Sequence, residues 1–228
     1  MAERGRSYSA RRQAKVFIVD DHPLMRQGLS QLVDEEEDLA VCGEAEDAHE
    51  ALQAVAQAEP DIAIVDLSLK GTSGIELIKS LKSMYPELLM LVLSMHDESV
   101  YAERVLRAGA KGYIMKQEAP ENVITAVRRV LDGEIYLSDN ASAKLLSKLI
   151  HGGQEHSESL VDSLSDRELE VFRLIGQGLG TREIADELHL SIKTIETYRA
   201  HLKGKLNLKK STELVKYAVQ WVETEAKG

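Results

Sequence analysis

The chain has 228 residues, of which 43% are hydrophobic and 4% aromatic, enough for one large or two small domains with aliphatic cores. Its single cysteine, Cys42, excludes an intramolecular disulfide framework and a cysteine-based zinc cluster. The longest apolar run, 88–93, is far too short to cross a membrane, and the polar, arginine-rich start lacks the apolar stretch of a secretory signal. We therefore expect a cytoplasmic protein that does not contact membranes.

The net charge of −10 is unevenly distributed along the chain. Residues 161–228 carry 11 basic and 11 acidic residues, so the whole acidic excess falls on residues 1–160. Between residues 192 and 210, six basic residues stand against Glu196 alone. Such a basic strip is typical of a DNA-contacting element, although a solvated helix face explains the charge alone equally well.

Residues 1–14 predict a disordered tail, and residues 15–135 predict a doubly wound α/β domain. In the latter, short β-branched runs alternate with amphipathic stretches in five successive strand–helix units, which predicts a five-stranded parallel sheet with helices on both faces. The predicted strands are 16–19, 39–43, 62–65, 89–93 and 112–115.

Residues 136–160 predict a linker with a short helix at 141–150, and residues 161–226 predict a small all-α domain. Ser165 and Glu168 form a capping box that begins its first helix. Thr181 is predicted to cap a second helix, and Ser191 to cap a third that runs to Leu206 with Ile192 facing inward. Two helices joined by a short turn, the second carrying the basic strip, indicate a helix-turn-helix.

Polar side chains follow four of the five predicted strands, at the edge where the carboxyl ends of parallel strands meet. They are Asp20, Asp21, Asp66, Ser94 and Lys116. Three carboxylates repel one another unless a cation neutralises them, and oxygen ligands suit Mg²⁺. A carboxylate beside Mg²⁺ can attack a phosphoryl group, whose oxygens an ammonium and a hydroxyl can hold. Taken singly, each of these residues is explained as a turn residue or a surface residue. Their joint placement at one edge of the sheet favours a functional site.

Residues 15–135 resemble a two-component receiver domain, with a flavodoxin-like fold, through the segments VDDHP, VDLSLKGTSGIEL, LSMHDE and GAKGYIMK. The resemblance implies that a partner histidine kinase phosphorylates Asp66. It further implies that Asp21, Asp66 and the backbone carbonyl of Ser68 bind Mg²⁺ directly, with Asp20 acting through water. By the same likeness Ser94 and Lys116 contact the phosphoryl group, and Tyr113 is an aromatic switch, although core packing also explains Tyr113.

Residues 163–224 resemble the LuxR-type helix-turn-helix of NarL/FixJ regulators, through LSDRELEVFRLIGQGLGTREIADELHLSIKTIETYRAHLKGKL. The resemblance implies that residues 191–206 form the recognition helix. Its outward polar side chains suit base edges and phosphates, and the expected DNA contacts are Lys193, Thr194, Thr197, Arg199 and Lys203. A three-helix protein-binding module remains the alternative.

The last predicted helix, from about Thr212 to Glu223, has more apolar surface than the single stripe with which a helix packs on its own domain. Val215, Val219 and Val222 form a second row, which predicts a homodimer contact, unless the helix is simply well buried in its own domain.

The chain is accordingly expected to be a response regulator and not an enzyme. A Mg²⁺-dependent phosphatase with Asp66 as nucleophile is the rival class, but it would need a second aspartate where Ser68 stands. A receiver joined to a protein-binding or RNA-binding module is the second rival.

Overall fold

The computed structural model describes residues 13–69, 71, 73–118, 120–150 and 160–225. The tail predicted to be disordered lies almost entirely outside these ranges, as does the last part of the predicted linker. Within the described ranges, no helix combines the length and hydropathy that crossing a membrane requires.

Five parallel strands form one sheet in the order β2-β1-β3-β4-β5. Their bounds are β1 Ala14–Val19, β2 Leu39–Ala45, β3 Ile62–Val65, β4 Leu89–Ser94 and β5 Gly112–Met115. The interior strands are apolar along their length because helices cover both faces, as in other parallel sheets. The predicted doubly wound parallel sheet is confirmed, with β1 and β2 each two residues longer than expected and β4 one residue longer.

Five helices sandwich this sheet. They are α1 Pro23–Asp34, α2 Ala48–Ala58, α3 Gly74–Met84, α4 Glu98–Ala108 and α5 Pro120–Leu131. The apolar residues of α1 and α5 pack with one set of strand side chains, and those of α2, α3 and α4 pack with the alternate set. Because side chains alternate along a strand, these two sets are the two faces of the sheet.

The remainder is helical. It comprises α6 Asp139–Ile150, a 3₁₀ turn Leu160–Ser163, α7 Asp166–Gly176, α8 Thr181–Glu187, α9 Ile192–Lys205 and α10 Ser211–Glu225. The capping box of Ser165 and Glu168 is confirmed, and so is the Ser191 cap, whose hydroxyl accepts the backbone N–H of Thr194. All predicted helices of this region are present, with ends shifted by one or two residues.

Two local predictions are wrong. Thr181 is the first residue of α8 and not its cap; Gly180 takes that position, and its N–H donates to the carboxylate of Glu183. Ile192 does not face inward, since it is 41% exposed at the first turn of α9, while Ile195 is fully buried one turn later. The N-terminal end of α9 therefore projects from the domain.

The predicted boundary at residue 135 remains a prediction, but one contact bears on it. Tyr136, assigned to the linker, lies alongside β5, where its carbonyl accepts the N–H of Tyr113 at 2.9 Å. Helix α6 then packs on α4, and Glu98 at the start of α4 accepts the N–H of Ser138. The start of the linker is thus attached to the sheet domain.

The sheet domain and the helical domain share one apolar cluster and are also joined by polar contacts that the sequence did not predict. Arg104 of α4 donates to the carbonyls of Val161, Asp162 and Leu164 and to the carboxylate of Asp166. Lys79 of α3 lies 2.8 Å from the other oxygen of Asp166. The 3₁₀ turn and the first residue of α7 are therefore fixed in the angle between α3 and α4.

Candidate functional site

The carboxyl ends of β1, β3 and β5 bring two carboxylates and an ammonium into direct contact. Lys116 Nζ lies 2.6 Å from Asp20 Oδ2 and 2.7 Å from Asp66 Oδ2. All three side chains are at most 3% exposed. A buried lysine in this position offsets much of the repulsion between the two acids, which explains how the cluster persists inside the fold.

Asp21 and His22 complete the cluster on its outer side. Ligand atoms of Asp20, Asp21, His22 and Asp66 all lie within 4.8 Å of one another. Asp21 Oδ1 is buried and accepts no hydrogen bond, although His22 Nδ1 lies 2.7 Å away. A buried carboxylate oxygen without a donor fits a cation ligand, because a cation would supply the missing partner.

The ionisation of the cluster follows from its burial. Loss of hydration raises the pKa of Asp66, and the neighbouring Lys116 opposes this shift without cancelling it. Burial also works against the charged form of Lys116, but Asp66 and Asp20 outweigh it, so the pKa of Lys116 is raised. Lys116 is therefore firmly cationic, while burial makes the charged form of Asp66 less favourable than it would be in water.

Ser94 and Tyr113 lie on the neighbouring strands β4 and β5. Ser94 ends β4 fully buried, and its hydroxyl accepts the N–H of His96 at 3.3 Å. Tyr113 is turned into the interior, with its hydroxyl donating to the carbonyl of His96 at 2.8 Å. Both side chains thus contact the loop that follows β4.

His96 was not singled out from the sequence, although it stands inside the LSMHDE segment. Its Nε2 lies 2.9 Å from the hydroxyl of Ser68, and its ring stacks on Tyr101 at 5.0 Å. Burial lowers the pKa of His96 to about 3, with smaller effects from Arg173 of α7 and from Lys116. A neutral His96 therefore joins the loop after β3 to the loop after β4, next to α7.

The five predicted DNA-contact residues all lie on α9, and their exposure differs. Lys193 and Thr197 are exposed, whereas Thr194, Arg199 and Lys203 are half-buried. Burial lowers the pKa of Arg199 from its ordinary value. The exposed positions cluster toward the N-terminal half of the helix, the end that enters the major groove in helix-turn-helix proteins.

The predicted second apolar row on α10 is only partly open. Val215 is 37% exposed, and Val219 and Val222 are half-buried. Val222 lies against α7, because a Cβ on Gly176 would meet its Cγ2 at 2.5 Å. The position most open to contact with another molecule is therefore Val215.

Comparison with known families and proteins supports both predicted domains, the receiver and the helix-turn-helix. Residues 16–128 match the response regulator receiver domain, and residues 162–218 match the bacterial regulatory proteins of the luxR family. The oxygen regulatory protein NreC of Staphylococcus carnosus is 39% identical over 210 residues, which cover 90% of this chain and 97% of that protein. NreC of Staphylococcus aureus is 37% identical over the same length, with the same coverage of both chains.

Solved structures give the same result for the fold. The response regulator RcsB of Salmonella typhimurium superposes with a TM-score of 0.69 at 29% identity, covering 92% of this chain and 98% of that one. RcsB of Salmonella enterica serovar Typhimurium bound to the promoter rprA, in the presence of the phosphomimetic BeF3−, gives a TM-score of 0.64 at 30% identity, covering 91% and 98%. The similarity thus extends over both halves.

Proposed function

Because the chain belongs to the response regulators of the NarL/FixJ type, in which a receiver domain precedes a LuxR-type DNA-binding domain, we propose that a phosphoryl group on Asp66 controls its binding to DNA. The observation that carries the proposal is the buried contact of Lys116 with Asp20 and Asp66 at the carboxyl edge of the sheet. A charge added to Asp66 changes this contact directly.

The chemistry proposed for Asp66 is nucleophilic. Its carboxylate oxygen attacks the phosphorus of a phosphohistidine on a sensor histidine kinase, so that an O–P bond forms as the N–P bond breaks. The imidazole leaves with the electron pair and takes up a proton from solvent. Lys116, whose ammonium lies 2.7 Å from the Asp66 carboxylate, and Ser94 at the end of β4 are proposed to hold the new phosphoryl oxygens.

The cluster also fits the Mg²⁺ that the family implies. Asp21, Asp66 and the backbone carbonyl of Ser68 would hold the ion, with Asp20 acting through water, and the donorless oxygen of Asp21 supports this assignment. When bound, Mg²⁺ supplies positive charge that offsets the oxygens of the phosphoryl group.

The proposed partner of α9 is DNA. RcsB, which resembles this chain over both halves, is described in complex with promoter DNA. We assign phosphate and base contacts to Lys193, Thr194, Thr197, Arg199 and Lys203, and a homodimer contact to α10. The family is one of transcription regulators, and the serine at position 68, where a phosphatase would need an aspartate, argues against that rival. A DNA-binding regulator of this kind works in the cytoplasm.

Labelling with a small phosphodonor tests the proposal. We expect wild type to gain one phosphoryl mass with acetyl phosphate and Mg²⁺, to gain none in EDTA, and to shift genomic DNA fragments more strongly afterwards. Asp66→Asn should gain none, while Asp132→Asn, an exposed aspartate after α5, should behave as wild type. Labelling of Asp66→Asn at the wild-type rate would show that the site is wrong.

A further inference from the structure

His22 occupies the N-cap position of α1, directly after the two aspartates that follow β1. A side-chain oxygen ordinarily caps a helix from this position, but the imidazole makes no capping hydrogen bond. The backbone of His22 is fixed, because its N–H donates to Asp20 Oδ1 at 2.8 Å and Pro23 restricts the residue before it to an extended conformation. The side chain is therefore held beside the carboxylate cluster and does not cap the helix.

The ring nitrogen Nδ1 of His22 lies close to two of the carboxylates. It is 2.7 Å from Asp21 Oδ1 and 3.3 Å from Asp20 Oδ1. The shorter distance suits a hydrogen bond, yet the buried Asp21 Oδ1 accepts none, so the direction of approach does not fit one. The imidazole nitrogen and the carboxylate oxygen are thus close together without a hydrogen bond between them.

A cation shared by these atoms accounts for their spacing. Neighbouring ligands of an octahedral ion lie about 3 Å apart when each is about 2.0–2.1 Å from the ion. The distances from His22 Nδ1 to the Asp21 and Asp20 oxygens, 2.7 and 3.3 Å, lie on either side of this value. A carboxylate oxygen of Asp66 falls within the same group, whose ligand atoms are all within 4.8 Å of one another. His22 therefore adds a nitrogen to a set of oxygen ligands.

A nitrogen ligand changes which ion such a cluster prefers. Mg²⁺ favours oxygen ligands, whereas imidazole suits transition-metal ions such as Fe²⁺ and Ni²⁺. For a given set of ligands, affinity also rises along the series from Mn²⁺ through Fe²⁺ to Ni²⁺. The side chain of His22 is 67% exposed, so its ring can adjust toward an ion without disturbing the core.

From this geometry we propose that His22 is a nitrogen ligand of the divalent cation at the carboxylate cluster, and that it makes the site prefer imidazole-binding transition-metal ions to Mg²⁺. The inference rests on the metal site of the proposed function and adds a residue that determines its specificity. Asp21 and Asp66 hold any of these ions through oxygen, and His22 distinguishes among them.

Titration calorimetry of the full-length, untagged chain with Ni²⁺ and with Mg²⁺ tests the inference. We expect wild type to bind Ni²⁺ more tightly than Mg²⁺. His22→Gln removes the imidazole but keeps a polar side chain. It should lose about tenfold or more in Ni²⁺ affinity, as is common when a group that supports metal binding is removed, and should bind Mg²⁺ nearly as wild type does.

His49→Gln is the matched control for the loss of a histidine. His49 lines the same cavity as Asp21, but its ring nitrogen lies 2.9 Å from the side-chain amide of Gln53 and not in the cluster. The affinities of His49→Gln for both ions should therefore equal those of wild type.

Proton NMR of the Ni²⁺-loaded chain identifies the ligand directly, because the unpaired electrons of Ni²⁺ shift the ring protons of a bound imidazole far from their ordinary positions. We expect such a signal in wild type and in His49→Gln, and its loss in both His22→Gln and Asp21→Asn. The same shifted signal in His22→Gln, or equal Ni²⁺ affinity in His22→Gln and wild type, overturns the role given to His22. An Asp21→Asn variant that binds both ions like wild type overturns the proposed metal site itself.

Discussion

At the scale of single residues, Lys116 connects the charge on Asp66 to the rest of the sheet. It lies at the end of β5, yet its ammonium reaches across to the residues that follow β1 and β3. A buried cation with two carboxylate partners has little freedom, because leaving either one exposes an unpaired charge to a poorly hydrated interior. On the proposed function, a phosphoryl group on Asp66 would alter one of these two contacts of Lys116.

We therefore expect Lys116→Ala to be phosphorylated to some degree but to respond poorly. Labelling would be followed by intact mass, and DNA affinity would be measured with and without phosphodonor. The ratio of these affinities should fall toward one in Lys116→Ala and stay at its wild-type value in Lys111→Ala, which changes a lysine at the opposite end of β5. A wild-type ratio in Lys116→Ala would contradict the role given to this lysine.

At the scale of elements, α9 and α10 have different roles in the DNA-binding domain. Helix α9 carries four of the six basic residues of the strip, while α10 packs on α7 through Leu214 and Ala218, which are fully buried. Phe172 of α7 contacts the rings of Tyr217 and Trp221 on the same helix. These contacts fix α10 and leave Val215 at the surface.

The basic strip predicts DNA binding that weakens steeply with salt. Removing one phosphate-binding side chain should reduce the magnitude of the slope of log affinity against log salt by about 0.9. The double variant Lys193→Ala/Arg199→Ala should bind more weakly and show a slope shallower by nearly two, whereas Lys216→Ala on α10 should match wild type. Binding titrations between low and moderate salt measure this, and a flat wild-type response would refute the assigned surface.

Helix α10 predicts a weak dimer contact centred on Val215. Burial of apolar surface gives roughly 25 cal/mol per Å², so a patch of this size contributes little alone and depends on a second contact through DNA or the receiver. Val215→Glu should lower the cooperativity of binding to a two-half-site operator and reduce dimer formation in sedimentation. Gln220→Glu adds the same charge at another exposed position of α10; equal cooperativity in both variants would exclude this interface.

At the scale of the whole molecule, Arg104 is the principal polar anchor between the domains. Its guanidinium donates to three carbonyls and one carboxylate around the 3₁₀ turn, and hydrogen bonds from a charged group contribute about 1.5–3 kcal/mol each. Because this side chain joins α4 to the 3₁₀ turn and α7, its removal acts on the contact between the domains, across which the apolar cluster of the α2, α3 and α4 side also continues.

Arg104→Ala should therefore separate the domains without unfolding them. Small-angle scattering should give a larger radius of gyration for Arg104→Ala than for wild type, with an unchanged helical signal in circular dichroism. Arg107→Ala removes an arginine from the exposed side of the same helix, where it pairs locally with Glu103, and should leave the dimensions unchanged. Equal dimensions of all three proteins would mean that other contacts hold the domains.

The elements, and the chemistry that their ends carry, follow from the amino-acid sequence without knowledge of the fold. Apolar periodicity predicted the five strands and all the helices, because burial of one or two faces requires apolar residues at regular spacing. The rule that parallel strands end at one edge then predicted that Asp20, Asp66 and Lys116 lie together, and the structure brings them within hydrogen-bonding distance. Errors arose at helix ends, at Thr181 and Ile192. There a neighbouring residue can take the capping position, and the first apolar residue of the helix can stay exposed.

The way in which the two domains meet emerges only from tertiary packing. The contacts of Arg104 and His96 were not predicted, although His96 stands inside the LSMHDE segment, because a contact between residues distant in sequence depends on the relative placement of whole elements. Gly74 shows the same limit within one domain: a Cβ there would lie 2.2 Å from the carbonyl oxygen of Asp66, a steric requirement that no local pattern contains. Local sequence thus determines which groups can make contacts, while packing determines which of them touch.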